Sequence, residues 1–184
     1  LFGKYLLLVG FGRIGREVGK RALAFGMQLH VYDPYVDEQQ VGAAGAVYVK
    51  DLDTFLPKTD FLSLHLPYTP KNHHIIGHEE LRALPSSAYV INTARGGLID
   101  ENELFKALES GNLAGAGLDC FEQEPPSKNL KLLTSGKVIV SPHNASLTAE
   151  CTRRLGLVCV ENVVDALTGC LKKERVVNWD AVHV

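Results

Sequence analysis

The feature that most limits the fold is a short apolar run ending in closely spaced glycines. Tyr5-Leu6-Leu7-Leu8-Val9 is followed at once by Gly10-Phe11-Gly12-Arg13-Ile14-Gly15, and a pattern of helical period then runs from Ile14 to Phe25. A strand, a glycine turn and a helix in that order make the first half of a strand-helix-strand crossover. The alternation continues along the chain. Strands are expected at Tyr5–Val9, Leu29–Tyr32, Phe61–Leu64, Tyr89–Asn92, Ala114–Leu118 and Val138–Val140, each a nearly continuous apolar run of the kind covered on both faces. Helical patterns fall between them at Ile14–Phe25, His78–Leu84 and Asp100–Ser110. In the last, Asp100 is a candidate cap, Glu103 stands three residues on as in a capping box, and Gly111 supplies a stop. A longer helix, Thr148–Leu167, ends before Gly169. The expected fold class is therefore α/β: a doubly wound parallel sheet with right-handed crossovers and helices on both faces.

Composition narrows the function classes. Lys and Arg number 19 against 21 Asp and Glu, a formal charge of −2, so the basic excess of a phosphate-backbone binder is missing and no nucleic-acid partner is expected. The Tyr5–Val9 run has five residues, whereas a membrane-spanning helix needs about 20. No membrane association is expected. The four cysteines, Cys120, Cys151, Cys159 and Cys170, form no C-x-x-C pair and have no histidine at zinc-ligand spacing, so no metal site is expected. Cys151 and Cys159 share one helical pattern, about 12 Å apart at 1.5 Å per residue, which is beyond disulfide reach. A reducing, cytoplasmic setting fits best.

Gly10, Gly12 and Gly15 form G-x-G-x-x-G between a buried strand and a helix, the setting of a Rossmann-type dinucleotide-binding turn. The first glycine permits the turn, the second lets backbone approach a pyrophosphate at the helix N-terminus, and the third lets helix pack on strand. Asp33 closes the next strand, 18 residues beyond Gly15, where a carboxylate accepts the ribose hydroxyls of adenosine and repels a 2′-phosphate. No Lys or Arg lies between Asp33 and Val41, and Asp37 and Glu38 add negative charge, so the expected cofactor is NAD rather than NADP. His65-Leu66-Pro67 ends the Phe61 strand, where ligands of doubly wound sheets collect, with His65 read as a pocket-wall residue.

Three further polar clusters sit at the carboxyl ends of later strands, on the same edge of the sheet: Asn92 to Gly97, Asp119 to Pro125, and Ser141 to Ala145. Taken singly, Arg95 could be a surface residue at a Gly-Gly turn, Glu124 an exposed loop acid and His143 a capping or core residue. Asp119 could be a cap or could accept from a nicotinamide amide. Together they suit a redox site. Arg holds a carboxylate in a bidentate fork and polarises a carbonyl, and His exchanges an alcohol proton while a nearby carboxylate favours its charged form and fixes its ring.

The chain resembles the cofactor domain of the D-isomer-specific 2-hydroxyacid dehydrogenases. The resemblance runs from about Gly3 to Asn178 and rests on Gly10 to Gly15, His65-Leu66-Pro67-Tyr68-Thr69-Pro70, Ile91 to Gly96, Leu118-Asp119-Cys120-Phe121 through Glu124-Pro125, and Pro142-His143. It implies that Arg95 binds and polarises a 2-oxo acid, that His143 is the acid/base, and that Glu124 pairs with His143, Glu122 being the rival acid in the same loop. Asp119, Thr93 and the backbone around Asn144 and Ala145 would hold the nicotinamide end. Arg13 and Ile14 would lie on the pyrophosphate, and Pro67 would flank the cofactor. Asn144-Ala145 departs from the aliphatic residue and glycine that many members carry.

By the same resemblance, residues 1–169 form the NAD-binding domain, and residues 170–184 return to a substrate domain whose N-terminal half would precede Gly3. The expected partners are a small 2-oxo or 2-hydroxy acid and a second copy in a homodimer. The isolated chain is expected to bind NADH without appreciable turnover, because half of the substrate cleft would be missing. The expected activity is NAD-dependent interconversion of a 2-oxo acid and a D-2-hydroxy acid. The alternative is an NAD-sensing, corepressor-like interaction protein of the same family.

Overall fold

The computed structural model describes residues 1–182 and divides into two compact units, Leu1–His143 and the chain from Asn144 onward. The first unit holds β1 (Tyr5–Val9), α1 (Arg13–Ala24), β2 (Gln28–Tyr32), α2 (Glu38–Ala43), β3 (Val47–Tyr48), α3 (Leu52–Phe55) and β4 (Phe61–Leu64). It continues through α4 (His78–Ala83), β5 (Tyr89–Asn92), α5 (Glu101–Glu109), β6 (Gly115–Leu118) and β7 (Val138–Val140). The seven strands form one sheet in the order β3-β2-β1-β4-β5-β6-β7, with every pair parallel. The chain thus builds outward from β1 to β3 and then returns to the far side of β1. The crevice where the order reverses lies at the carboxyl ends of β1 and β4.

Side chains of β1 alternate between two cores, which is why the run is apolar throughout. Leu6 and Leu8 pack with Leu29 and Val31 of β2, Ala22 of α1 and Val41 of α2. Leu7 and Val9 join Leu62 and Leu64 of β4, Leu81 of α4, and Leu104 and Leu108 of α5. Leu7 and Leu8 are fully buried, and each such side chain contributes about 2 kcal/mol.

In the first unit, α2, α3 and the two-residue edge strand β3, which pairs with His30 and Val31, go beyond the expected set. Strand β2 begins one residue earlier than expected and β6 one residue later. Asp100 caps α5 as expected, accepting from the N–H groups of Asn102 and Glu103, and Gly111 follows the helix with φ 79°. The other half of the capping box does not form. The Asp100 N–H donates to the Ile76 carbonyl, and the Glu103 carboxylate is occupied by His78 and Lys106.

The second unit contains α6 (Ala149–Leu167), capped by Thr148, whose hydroxyl accepts from the Cys151 N–H at 3.1 Å, and followed by Gly169 at φ 70°. Arg175 donates to Asn162 at 2.9 Å and ties the following segment to this helix, ahead of α7 (Trp179–Val182). Residues 183 and 184 of the expected C-terminal segment lie outside the described residues. Among the described residues no helix is long and apolar enough to cross a membrane.

Candidate active site

The turn after β1 is so tight that two of its positions exclude any side chain. Gly10 has φ 100°, and a Cβ there would lie 2.7 Å from the carbonyl carbon and oxygen of His65; a Cβ on Gly15 would lie 2.4 Å from the Gly10 oxygen. Turn, helix and the end of β4 are therefore in backbone contact. Gly12 is different. An added Cβ would meet nothing within 4 Å, and as the N-cap of α1 this residue places no side chain on the first N–H groups of the helix. No acid stands in the first turn of α1. Open space before an uncapped helix N-terminus is a seat for an anion, and this is the observation on which a pyrophosphate fits.

A cavity of about 350 Å³ opens beside this turn, and Gly10, Gly12, Asp33, His65 and Pro67 are among its walls. Asp33 is held by its own backbone surroundings, accepting from the Phe11 N–H at 2.7 Å and the Tyr35 N–H at 2.9 Å. Burial pushes the His65 imidazole down to about 4, so it is neutral near pH 7, with Nε2 2.9 Å from the Ser63 hydroxyl. Arg13 and Ile14 are exposed on the first turn of α1, outside the walls of this cavity, and Gly15 is buried behind it.

The later strand ends build a second region. Asn92, buried at the end of β5, accepts from the Ala94 N–H at 3.0 Å and donates to the Arg95 carbonyl at 2.8 Å, which closes the turn carrying Arg95. Thr93 is exposed on that turn. A Cβ on Gly96 would lie 1.9 Å from the Phe121 carbonyl carbon, so only glycine lets the Arg95 segment lie against the loop after β6. At the head of that loop, Asp119 is buried and accepts from the Ser141 hydroxyl, which joins the ends of β6 and β7. The loop then folds back, with the Phe121 N–H donating to Glu124 Oε1 at 3.1 Å and a cis peptide between Glu124 and Pro125.

His143 stands beyond β7 with φ 52°, and its Nδ1 lies 2.7 and 3.0 Å from the two Glu124 carboxylate oxygens. The hydrogen bonds from His143 and from the Phe121 N–H hold the Glu124 carboxyl below the usual carboxylate range. An ionised carboxylate only accepts, so Nδ1 carries a proton and Nε2 is the atom left to exchange one. Glu122, the other acid of the loop, pairs with His74 instead, and its N–H donates to the Glu101 carboxylate at 2.7 Å.

Arg95, Glu124 and His143 share a cavity of about 490 Å³. The Glu124–His143 pair also lines a neighbouring, more apolar cavity of about 330 Å³ that includes Asp119, Ser141 and Pro142. The pair therefore stands where the two cavities meet. Asn144 and Ala145 belong to the second unit, in which the Asn144 carbonyl accepts from the Leu147 N–H at 2.8 Å. Among the described residues no three His, Cys, Asp or Glu side chains group to hold a metal. Asn92 and Tyr68 stand in the strand-end segments named from the sequence but carried no role there, and His73 lies three residues beyond the His65–Pro70 stretch.

The family described as D-isomer specific 2-hydroxyacid dehydrogenase, NAD binding domain, matches residues 1–145. A D-3-phosphoglycerate dehydrogenase of Methanocaldococcus jannaschii is 44% identical over 178 residues, covering 97% of this chain and 34% of the relative. A hydroxypyruvate reductase of Thermotoga maritima is 45% identical over 169 residues, covering 91% of this chain and 54% of the relative. The NAD-complexed form of a D-isomer specific 2-hydroxyacid dehydrogenase from Lactobacillus delbrueckii ssp. bulgaricus superposes with a TM-score of 0.84 at 31% identity, over 92% of this chain and 55% of that one. The chain spans a third to about half the length of these relatives. It belongs to the D-isomer specific 2-hydroxyacid dehydrogenase family and carries that family's NAD binding domain.

Proposed function

We propose that this chain is the cofactor-binding part of an NAD-dependent dehydrogenase that interconverts a 2-oxo acid and a D-2-hydroxy acid. The observation that carries the reading is the hydrogen-bonded Glu124–His143 pair sharing a cavity with Arg95. NAD, when bound, exchanges a hydride with the carbonyl carbon of the acid. Gly10, Gly12, Gly15 and the α1 N-terminus, with Arg13 and Ile14, hold its pyrophosphate; Asp33 accepts from the adenosine ribose; Pro67 flanks the cofactor. Thr93 and Asp119 hold its nicotinamide end.

In the reducing direction, protonated His143 gives its Nε2 proton to the carbonyl oxygen while Glu124 keeps Nδ1 as a donor and fixes the ring. Arg95 binds the acid and stabilises the alkoxide as charge develops, an interaction that strengthens in the transition state. In the oxidising direction neutral His143 accepts the alcohol proton at Nε2. Residues 1–169 act as the NAD-binding domain, and residues 170–184 as a return toward a substrate domain. Homodimer formation and a reducing cytoplasmic setting complete the proposal, the latter supported by four free cysteines.

The test is a panel of 2-oxo acids offered to the full-length protein with NADH or NADPH, followed at the nicotinamide absorbance. Turnover with NADH and at least tenfold weaker use of NADPH support the reading; the loss is what a carboxylate facing a 2′-phosphate implies. No turnover of any 2-oxo acid refutes it.

A further inference from the structure

The cavity that holds Arg95, Glu124 and His143 has a wall that the proton and hydride chemistry leaves unused. Tyr68 and His73 belong to it. The Tyr68 ring lies across Gly97, where an added Cβ would meet ring carbons at 2.8 Å, and its Oη stands 3.2 Å from His73 Nδ1 with the rings edge to face. His73 in turn stacks on His74, ring centroids 3.7 Å apart, and His74 is held by Glu122 and by Asp100 at 3.5 Å. The turn that bears the pair is fixed as well. Asn72 accepts from the Thr69 N–H at 2.6 Å and donates to the Pro67 carbonyl at 2.8 Å. Tyr68 and His73 are thus backed by bonded neighbours at every step.

The pairing sets what the wall offers to a ligand. When the Tyr68 hydroxyl donates to Nδ1 of neutral His73, the imidazole proton is on Nε2. The pair then presents a lone pair on Tyr68 Oη and an N–H donor on His73 Nε2. These two atoms point out of opposite sides of the imidazole, so a substrate hydroxyl meets one of them, donating to Tyr68 Oη, whereas a methyl group cannot and leaves that oxygen facing an apolar surface. Arg95 and His143 engage the carboxylate and carbonyl that all 2-oxo acids share, so discrimination falls to whatever meets the substituent.

Resting on the dehydrogenase reading above, we propose that Tyr68 is a specificity-determining residue whose Oη recognises a hydroxyl on C3 of the 2-oxo acid, and that His73 is a positioning residue that orients the Tyr68 hydroxyl. The test uses the full-length protein with NADH and three probes: hydroxypyruvate, pyruvate with a methyl in place of the hydroxymethyl group, and glyoxylate with no substituent. The parent protein is expected to favour hydroxypyruvate over pyruvate in kcat/KM. Tyr68→Phe is expected to lower that ratio about tenfold, the usual effect of losing one hydrogen bond to a substrate hydroxyl. His73→Leu, which removes the acceptor that orients the Tyr68 hydroxyl, is expected to lower it by a smaller factor, and His73→Gln, whose Oε1 can accept in place of Nδ1, to recover part of it. NADH affinity, measured alongside, reports whether each variant is folded. A parent preference for pyruvate, or a ratio unchanged in Tyr68→Phe, overturns the inference while leaving the dehydrogenase reading in place. Failure of the parent to reduce hydroxypyruvate while it turns over another 2-oxo acid overturns the inference alone, and no turnover of any 2-oxo acid in the wider panel overturns that reading and the inference with it.

Discussion

Replacing Gly12 by alanine separates the cofactor seat from the fold. An added Cβ at Gly12 meets nothing within 4 Å, and the residue's φ of −72° suits any L-amino acid. Alanine is a poorer N-cap than glycine but restricts the unfolded chain, so the two effects oppose and the net change in stability is within about 1 kcal/mol. The same methyl occupies the space before the α1 N-terminus where the pyrophosphate is proposed to sit. A loss of about 1.4 kcal/mol there is a tenfold weaker Kd. Gly15→Ala provides the contrast, because its Cβ would lie 2.4 Å from the Gly10 backbone oxygen and neither group can rotate away. That overpacking costs about 1–3 kcal/mol of stability with or without ligand. Chemical unfolding with and without NADH reads both effects. At a ligand concentration 100 times the parent Kd, NADH stabilises the parent by about 2.7 kcal/mol and Gly12→Ala by about 1.4 kcal/mol. Equal stabilisation of the two would refute the placement of the cofactor, and a several-kcal/mol loss in ligand-free Gly12→Ala would refute the reading of open space.

Two other measurements follow from buried groups. His65 is neutral in the folded protein down to about pH 4, whereas an unfolded histidine takes up a proton below about 6.5. Stability is therefore expected to fall as pH drops from about 6.5 to 4, with up to about 3 kcal/mol of the loss from this group; urea unfolding across that range checks it, and a flat profile contradicts it. The Cys120 thiol is pushed up to about 12, first by burial and then by the Glu124 and Asp119 charges, while Cys159 and Cys170 are exposed. Alkylation of the native protein at pH 8, read by mass spectrometry, is expected to label Cys159 and Cys170 and to spare Cys120.

The parallel sheet was legible because its central strands are covered on both faces and so are apolar throughout, as Leu6 to Val9 illustrate. Strand β3 was not legible, since an edge element of two residues, with Val47 56% exposed, carries no periodicity. Helix α2 had a readable cap in Asp37, which accepts from the Gln40 N–H, but it buries only Val41 and shows no apolar stripe. The site was legible as clusters at strand ends, because parallel topology brings all such ends to one edge. What spacing could not supply was which acid meets which base. Glu122 and Glu124 are two residues apart, and only the fold-back of the loop and the presence of His74 send one to His143 and the other away. The Tyr68–His73 contact was equally hidden, since the turn between them sets it, and only a glycine at position 97 leaves room for the Tyr68 ring.

The most direct test of the account is the separation of binding from turnover at His143 in the full-length protein. Its φ of 52° makes His143→Asn the gentler replacement, because Asn tolerates that conformation better than Ala. With the acid/base group removed, kcat for the best 2-oxo acid is expected to fall about 10³-fold while NADH affinity stays within about threefold of the parent. Turnover that survives in this variant would contradict the assignment of His143 and, with it, the central claim.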